Sequence, residues 1–176
     1  MNYKDAFLQL NPGFFEQEHI RTLPENEVYS ELILDLRCAL PDIPLPPCPE
    51  NIRFGRYQGS MAPLRQAVSL VDEEWVQYFN KEDACFCAFD GEKIVAFCSI
   101  SAMGTVDGLA VSGPGCVGTI PAYRRQGIGL KLVQLATKEI KKDGYALSWI
   151  HYTYLPKWYM KLGYQPVLHW NCNGFL

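Results

Sequence analysis

The sequence predicts one α/β (α+β) domain with an N-terminal extension, and three observations predict it. A β-prone run, Cys116–Ile120, passes through a glycine-bearing turn into a helical repeat of Ile128, Leu132, Leu135, Ala136 and Ile140. Two β-rich runs, Cys85–Phe89 and Lys93–Ser101, flank Asp90-Gly91-Glu92, a strong hairpin signal. Capped helical segments alternate with further strand-like runs as far as Trp170. The chain has 176 residues, 48% of them hydrophobic and 13% aromatic, enough for a well-packed core.

Taken in order, residues 1–20 are weakly patterned. Thr22-Leu23-Pro24-Glu25 has the form of a helix start, with Thr as N-cap and Glu three residues on. Val28, Leu32 and Leu36 follow at intervals of four, so an amphipathic helix is expected to about Leu40, as cover for the main domain or as a homodimer contact. Residues 41–49, PDIPLPPCP, hold five prolines and form a stiff extended linker. This puts a helical extension and linker at 1–50 and the main domain at 51–176.

In the main domain, Ile52–Tyr57 alternates as a strand and Ser60–Leu70 reads as a short helix. Asp72 is an N-cap, with Glu73 and Glu74 where a helix dipole favours acids. The 85–101 hairpin follows. Residues 102–114, rich in glycine and proline, read as a loop. Strand 115–120 and helix 128–142 come next, the helix closed by Lys141, Lys142 and Gly144. Strand 145–152, a short helix from Pro156 to Leu162 and strand 164–170 complete the order.

Net charge is −3, which gives no electrostatic case for nucleic acid or an anionic membrane. No secretory signal opens the chain and no apolar run is long enough to span a bilayer, so a cytoplasmic protein is expected. Seven cysteines, an odd number without zinc spacing, are expected to be reduced, mostly buried thiols, and no metal is expected. Cys116, nearest the turn at 121–129, is the one alternative nucleophile.

That turn, Arg124-Arg125-Gln126-Gly127-Ile128-Gly129, carries the functional signal. A helix start exposes unpaired N–H groups and a positive dipole end, and two glycines allow close approach to the backbone. The pattern predicts a seat for a phosphate-type anion. It is not a Walker A loop, because no Lys-Ser/Thr pair follows, nor a dinucleotide fingerprint, because position 132 is Leu.

Preceded by a strand, Pro121 and Tyr123, the turn resembles the pyrophosphate-binding loop of the GNAT superfamily of acyl-CoA-dependent N-acyltransferases. Lys157-Trp158-Tyr159-Met160-Lys161-Leu162-Gly163-Tyr164 resembles a second motif of that family. The likeness runs over about residues 51–170. It implies a central mixed, twisted sheet flanked by helices on both faces, and acetyl transfer from acetyl-CoA to a primary amine, on a small molecule or a peptide, by direct attack through a tetrahedral intermediate.

Residue by residue, the resemblance gives Val117, Gly118 and Thr119 main-chain contacts to the pantetheine arm and the thioester. It gives Arg124, Arg125, Gln126, Gly127, Ile128, Gly129 and Leu130 the diphosphate, and Tyr159 the role of acid to the leaving thiolate. Tyr152 stands where many members have Asn, so Thr153 is the expected substitute. Only six residues follow Trp170, so the extension is a candidate to replace a final strand. The base is open between Asp107, carried as the first choice, Glu73, Glu74 and His151. A non-catalytic acyl-CoA-binding or sensing module is the alternative, and an interaction protein built on 23–40 and the proline arm a weaker one.

Overall fold

The computed structural model describes residues 1–81 and 83–176. Helix α1 (Tyr3–Leu10), a 3-10 turn at Phe14–Glu16 and helix α2 (Glu18–Arg21) open the chain. Strand β1 (Tyr29–Asp35) follows, then β2 (Ile52–Arg56), α3 (Met61–Ser69), a 3-10 helix at Glu73–Tyr78, β3 (Cys85–Asp90) and β4 (Lys93–Ser99). Next come β5 (Ala102–Val106), β6 (Leu109–Ser112), β7 (Gly115–Thr119), α4 (Ile128–Lys142), β8 (Leu147–Thr153), α5 (Pro156–Met160), β9 (Gln165–Asn171) and β10 (Gly174–Phe175).

The strands form two ladders that diverge from one another. One has the order β10-β9-β1-β8-β6-β5 and the other β2-β3-β4-β7. The path β6–β7 joins them. β6 pairs in parallel with β8, Val111 opposite Leu147 and Ser112 opposite Ser148. Two residues later the chain changes partner, and β7 pairs antiparallel with β4. At the fork, a Cβ on Gly113 would lie 1.8 Å from the Trp149 carbonyl oxygen, so only glycine lets the two backbones meet there. Beyond it β7 and β8 part, and among the described residues the facing edges of both strands have no sheet partner.

A bulge marks each lip of this opening. Cys116 on β7 has φ +45° and Tyr152 on β8 has φ +56°, left-handed conformations that cost a non-glycine residue roughly 1–3 kcal/mol each. The β4–β7 register shifts between Phe97 and Ser99, and the β1–β8 register between Ser30 and Leu32.

Helix α4 buries Ile128, Leu132, Ala136 and Ile140 in the core beneath β3 and β4. Leu130 and Val133 pack instead with Leu32, Ile150, Tyr159, Leu162 and Tyr164. On the other side of β8, Trp149 belongs with Phe7, Phe14, Tyr29 and Trp170, under the N-terminal helices. β8 thus alternates as a strand should, with Ile150 towards α4 and α5 and Trp149 towards α1.

Two sequence expectations are corrected. Residues 29–35 are a strand between β8 and β9, not part of a helix over 22–40. A spacing of four is also a multiple of two, so Leu32 and Leu36 share a strand face as readily as a helix face. Pro24 accepts from the Glu27 N–H in a turn instead of starting a helix. The extension thereby supplies the sheet with an interior strand between β8 and β9. Residues 102–114 are not a loop: β5 and β6 form a hairpin turning at Asp107-Gly108, where φ is +49° and +75°.

Candidate functional site

The turn between β7 and α4 is held open by its own backbone. Arg124 is extended, Arg125 has φ +63° and Gly127 φ +75°, and α4 begins at Ile128. Among the described residues, none of the six backbone N–H groups from Arg125 to Leu130 reaches a protein acceptor; pairing resumes with Lys131 to Gly127. Consecutive amides of this kind at a helix start form an anion-binding concavity, with the helix dipole behind it. Arg124 does not point its Nε at the seat, because it donates to the Thr119 carbonyl at 3.0 Å. Arg125 and Gln126 are exposed at the rim.

The proline linker borders this seat. It runs back along α4: Lys141 Nζ donates to the Leu36 carbonyl at 2.6 Å, and Gln134 Nε2 lies 3.4 Å from the Ile43 carbonyl. Leu45 packs with Leu130, Val117, Trp158 and Tyr159. A Cβ on Gly127 would meet the Pro47 and Pro46 carbonyl oxygens at 2.7 and 3.1 Å. Neither carbonyl accepts a backbone N–H of the turn. Gly127 is glycine for its left-handed φ and for the passage of the linker, a reason different from the ligand approach that the sequence suggested. Gly129 faces Thr119 Oγ1 and the Trp158 ring, 3.2 and 3.3 Å from its Cβ position. Beside Trp158 lies an open hollow of about 430 Å³, lined by Tyr154, Leu155, Pro156, Lys157, Trp158 and Lys161.

Val117, Gly118 and Thr119 lie on β7, on the lip of the opening. Gly118 is fixed as glycine by the Phe97 ring, 2.3 Å from its Cβ position. Tyr159, on α5, is 8% exposed and packs edge-on against Trp158. Burial pushes its hydroxyl far above the usual tyrosine range, so it holds its proton. Among the described residues that hydroxyl has no hydrogen-bond partner, yet no buried side-chain oxygen is left unpartnered. It therefore opens to accessible space. Ile128 is a core residue, 1% exposed.

The other sequence candidates fare differently. Asp107 is exposed at the tip of the β5–β6 hairpin, nine residues along the strand path from Cys116, roughly 30 Å. The fold does not bring it to the opening. Thr153 is at the lip, but its Oγ1 accepts from the Leu155 N–H at 3.0 Å and so shapes the turn into α5. Glu73 and Glu74 are exposed in the first turn of their 3-10 helix, where Asp72 caps the Glu74 N–H at 2.9 Å. Burial raises the Cys116 thiol from 9.0 to about 11, which opposes a nucleophilic thiolate.

Sequence reasoning missed Glu31. It is 0% exposed, in the middle of β1. Its Oε2 receives Trp149 Nε1 at 2.7 Å and pairs with His151 Nδ1 at 2.9 Å. Its Oε1 receives Trp170 Nε1 at 2.8 Å and the Tyr152 N–H at 3.0 Å. The last contact pins the strained bulge on β8. No single local motif spans residues 31, 149, 151, 152 and 170. No group of three or more His, Cys, Asp or Glu side chains among the described residues is placed to hold a metal ion. No helix among them is long and apolar enough to cross a membrane.

Residues 81–166 match the acetyltransferase (GNAT) domain family. A glucosamine N-acetyltransferase region of a fungal multi-domain GH3 β-N-acetylglucosaminidase superposes with a TM-score of 0.67 at 21% identity, over 82% of this chain and 20% of that one. A GCN5-related N-acetyltransferase from Sphaerobacter thermophilus gives 0.59 at 18%, over 81% and 49%. One from Kribbella flavida gives 0.58 at 22%, over 90% and 62%. The chain spans less than two thirds of each of these relatives, and at such identities the likeness is one of fold. None of the curated proteins matches it significantly in sequence.

Proposed function

From the match of residues 81–166 to the GNAT acetyltransferase domain family we propose that this chain transfers an acetyl group from acetyl-CoA to a primary amine. The observation that carries the reading is the run of six backbone N–H groups, Arg125–Leu130, without an acceptor among the described residues at the start of α4. A diphosphate, with several anionic oxygens in a row, satisfies such a run.

With the diphosphate there, the pantetheine arm enters the opening between β7 and β8, walled by Val117, Leu45, Leu130 and Trp158. The hollow beside Trp158 offers two aromatic rings and the cations Lys157 and Lys161 to the adenosine end. The acyl carbonyl then lies along the free edge of β7, where a main-chain N–H stabilises the oxyanion as the amine adds. Tyr159 supplies the proton to sulfur as the C–S bond breaks. Burial makes this hydroxyl a weak donor, which suits a thiol with an ordinary pKa of ~8.5 that needs little help to leave.

Thiol release from acetyl-CoA, measured with glucosamine, spermidine, kanamycin and a peptide with a free N-terminal amine, tests the reading. Amine-dependent release, with micromolar calorimetric binding of acetyl-CoA, is the expected result. Binding without transfer to any amine would move the assignment to an acyl-CoA-binding or sensing module, and no binding would sink both.

A further inference from the structure

We propose that His151 is the general base that takes the proton of the acceptor amine, and that the buried carboxylate of Glu31 is its positioning residue. The inference rests on the acetyltransferase reading above and adds to it the group that sequence left open.

Four hydrogen-bond contacts converge on the Glu31 carboxyl group. Three of its four partners, Trp149 Nε1, Trp170 Nε1 and the Tyr152 N–H, can only donate. A carboxyl group so surrounded acts as an acceptor on both oxygens, and its fourth contact, to His151 Nδ1 at 2.9 Å, is completed by the Nδ1 proton. A neutral imidazole with its proton on Nδ1 carries its lone pair on Nε2. Nε2 has no hydrogen-bond partner among the described residues, and the His151 side chain keeps 27% of its surface exposed while Glu31 has none. The arrangement fixes the ring, the tautomer and the direction of the free nitrogen.

Position follows from the strand. β8 loses its β6 partner after Ser148, so Ile150–Thr153 edge the opening while β1 still pairs as far as Thr153. Ile150 lies in the cluster that contains Tyr159, and His151 points to the opposite face, against Phe7 and Phe14 with ring centroids at 5.6 and 5.2 Å. Acid and base thus flank the opening from its two sides. The titratable groups facing His151 are Glu31 from β1 and Tyr152 on its own strand; α1 and the 14–16 turn present it with phenylalanines.

As the amine nitrogen bonds to the carbonyl carbon, its proton passes to His151 Nε2, directly or through one water. As the C–S bond breaks, the Tyr159 proton goes to sulfur. The imidazolium then returns a proton to the tyrosinate through solvent, so the net transfer is from nitrogen to sulfur. The amine that attacks is the neutral form: its ammonium proton goes to solvent first, and an ordinary alkylamine of pKa ~10.4 is in that form to only about one part in 10³ at pH 7.

Two measurements test this. The first is the pH profile of kcat/KM for thiol release with the best amine of the panel, for wild type and His151→Gln. The variant is expected to lose at least ~10²-fold in kcat and the acid limb of the profile, with acetyl-CoA affinity within threefold of wild type. A variant with an unchanged profile and kcat within threefold overturns the proposal while leaving the transferase reading intact; a wild type without turnover on any amine ends both. The second needs no turnover: imidazole nitrogen shifts in the neutral protein, assigned among His19, His151 and His169 by single substitution. A protonated Nδ1 and bare Nε2 on His151, lost in Glu31→Gln, supports the assignment, and a protonated Nε2 in wild type overturns it.

Discussion

The two sides of the β7–β8 opening are built on different principles. On the α4 side, the seat is six backbone N–H groups contributed by consecutive residues. On the α1 side, Glu31 gathers side chains and one amide from β8 and β9, more than a hundred residues away. The first site is made by conformation, and its sequence needs only glycines, a strand before and a helix after. The second is made by tertiary contact. A backbone site tolerates substitution at its exposed positions and fails when φ is changed; a side-chain network fails when one member is removed.

That contrast predicts its own largest effect. Glu31→Leu strands two buried indole N–H groups and the Tyr152 amide, and is expected to cost about 3–5 kcal/mol in urea unfolding. A loss under 1 kcal/mol would show that the network is dispensable. Tyr159→Phe is next: kcat is expected to fall about 10²-fold, at the low end for an acid, with acetyl-CoA binding within threefold. Unchanged turnover would remove Tyr159 from the chemistry.

Gly127→Ala probes the backbone side. Its φ of +75° and the Pro47 carbonyl, 2.7 Å from the added methyl, both oppose the change. Roughly 1–3 kcal/mol of stability and about tenfold in acetyl-CoA affinity are expected to go. Arg124→Ala is expected to do least, under threefold in affinity, because its Nε already serves the Thr119 carbonyl.

Alkaline pH sharpens the picture of the core. Burial raises Cys85 and Cys116 from 9.0 to about 11, and Tyr164 from 10.0 to about 12. Groups whose pKa is raised by folding add stability that is complete below their unfolded values and is lost as pH climbs through the folded ones. Stability followed by near-ultraviolet absorbance is therefore expected to hold to about pH 9 and then decline towards pH 12.

Much of this architecture was legible in the sequence because it is local. Helix 128–142, the 85–99 hairpin and the 124–129 turn each follow from a period, a dipeptide or a run of glycines. The helix expected over 22–40 failed because Leu32 and Leu36 satisfy both periods, and the slot between β8 and β9 decided between them. Asp107-Gly108 carried the same hairpin signal as Asp90-Gly91 but was overshadowed by the glycines and prolines around it. Glu31 lay inside the expected helix, where an acid reads as a solvated face. Only the pairing of β1 with β8 and β9 places it between Trp149, His151 and Trp170, and no spacing along the chain encodes that.

Amide nitrogen–proton spectra recorded during a titration with CoA report on whether the amides of residues 125–130 hold its diphosphate. Saturable downfield shifts are expected in this run at micromolar CoA, and S-acetylpantetheine, which lacks the diphosphate, is expected not to reproduce them. Amides 125–130 that stay unmoved at millimolar CoA, or that respond equally to S-acetylpantetheine, would contradict it.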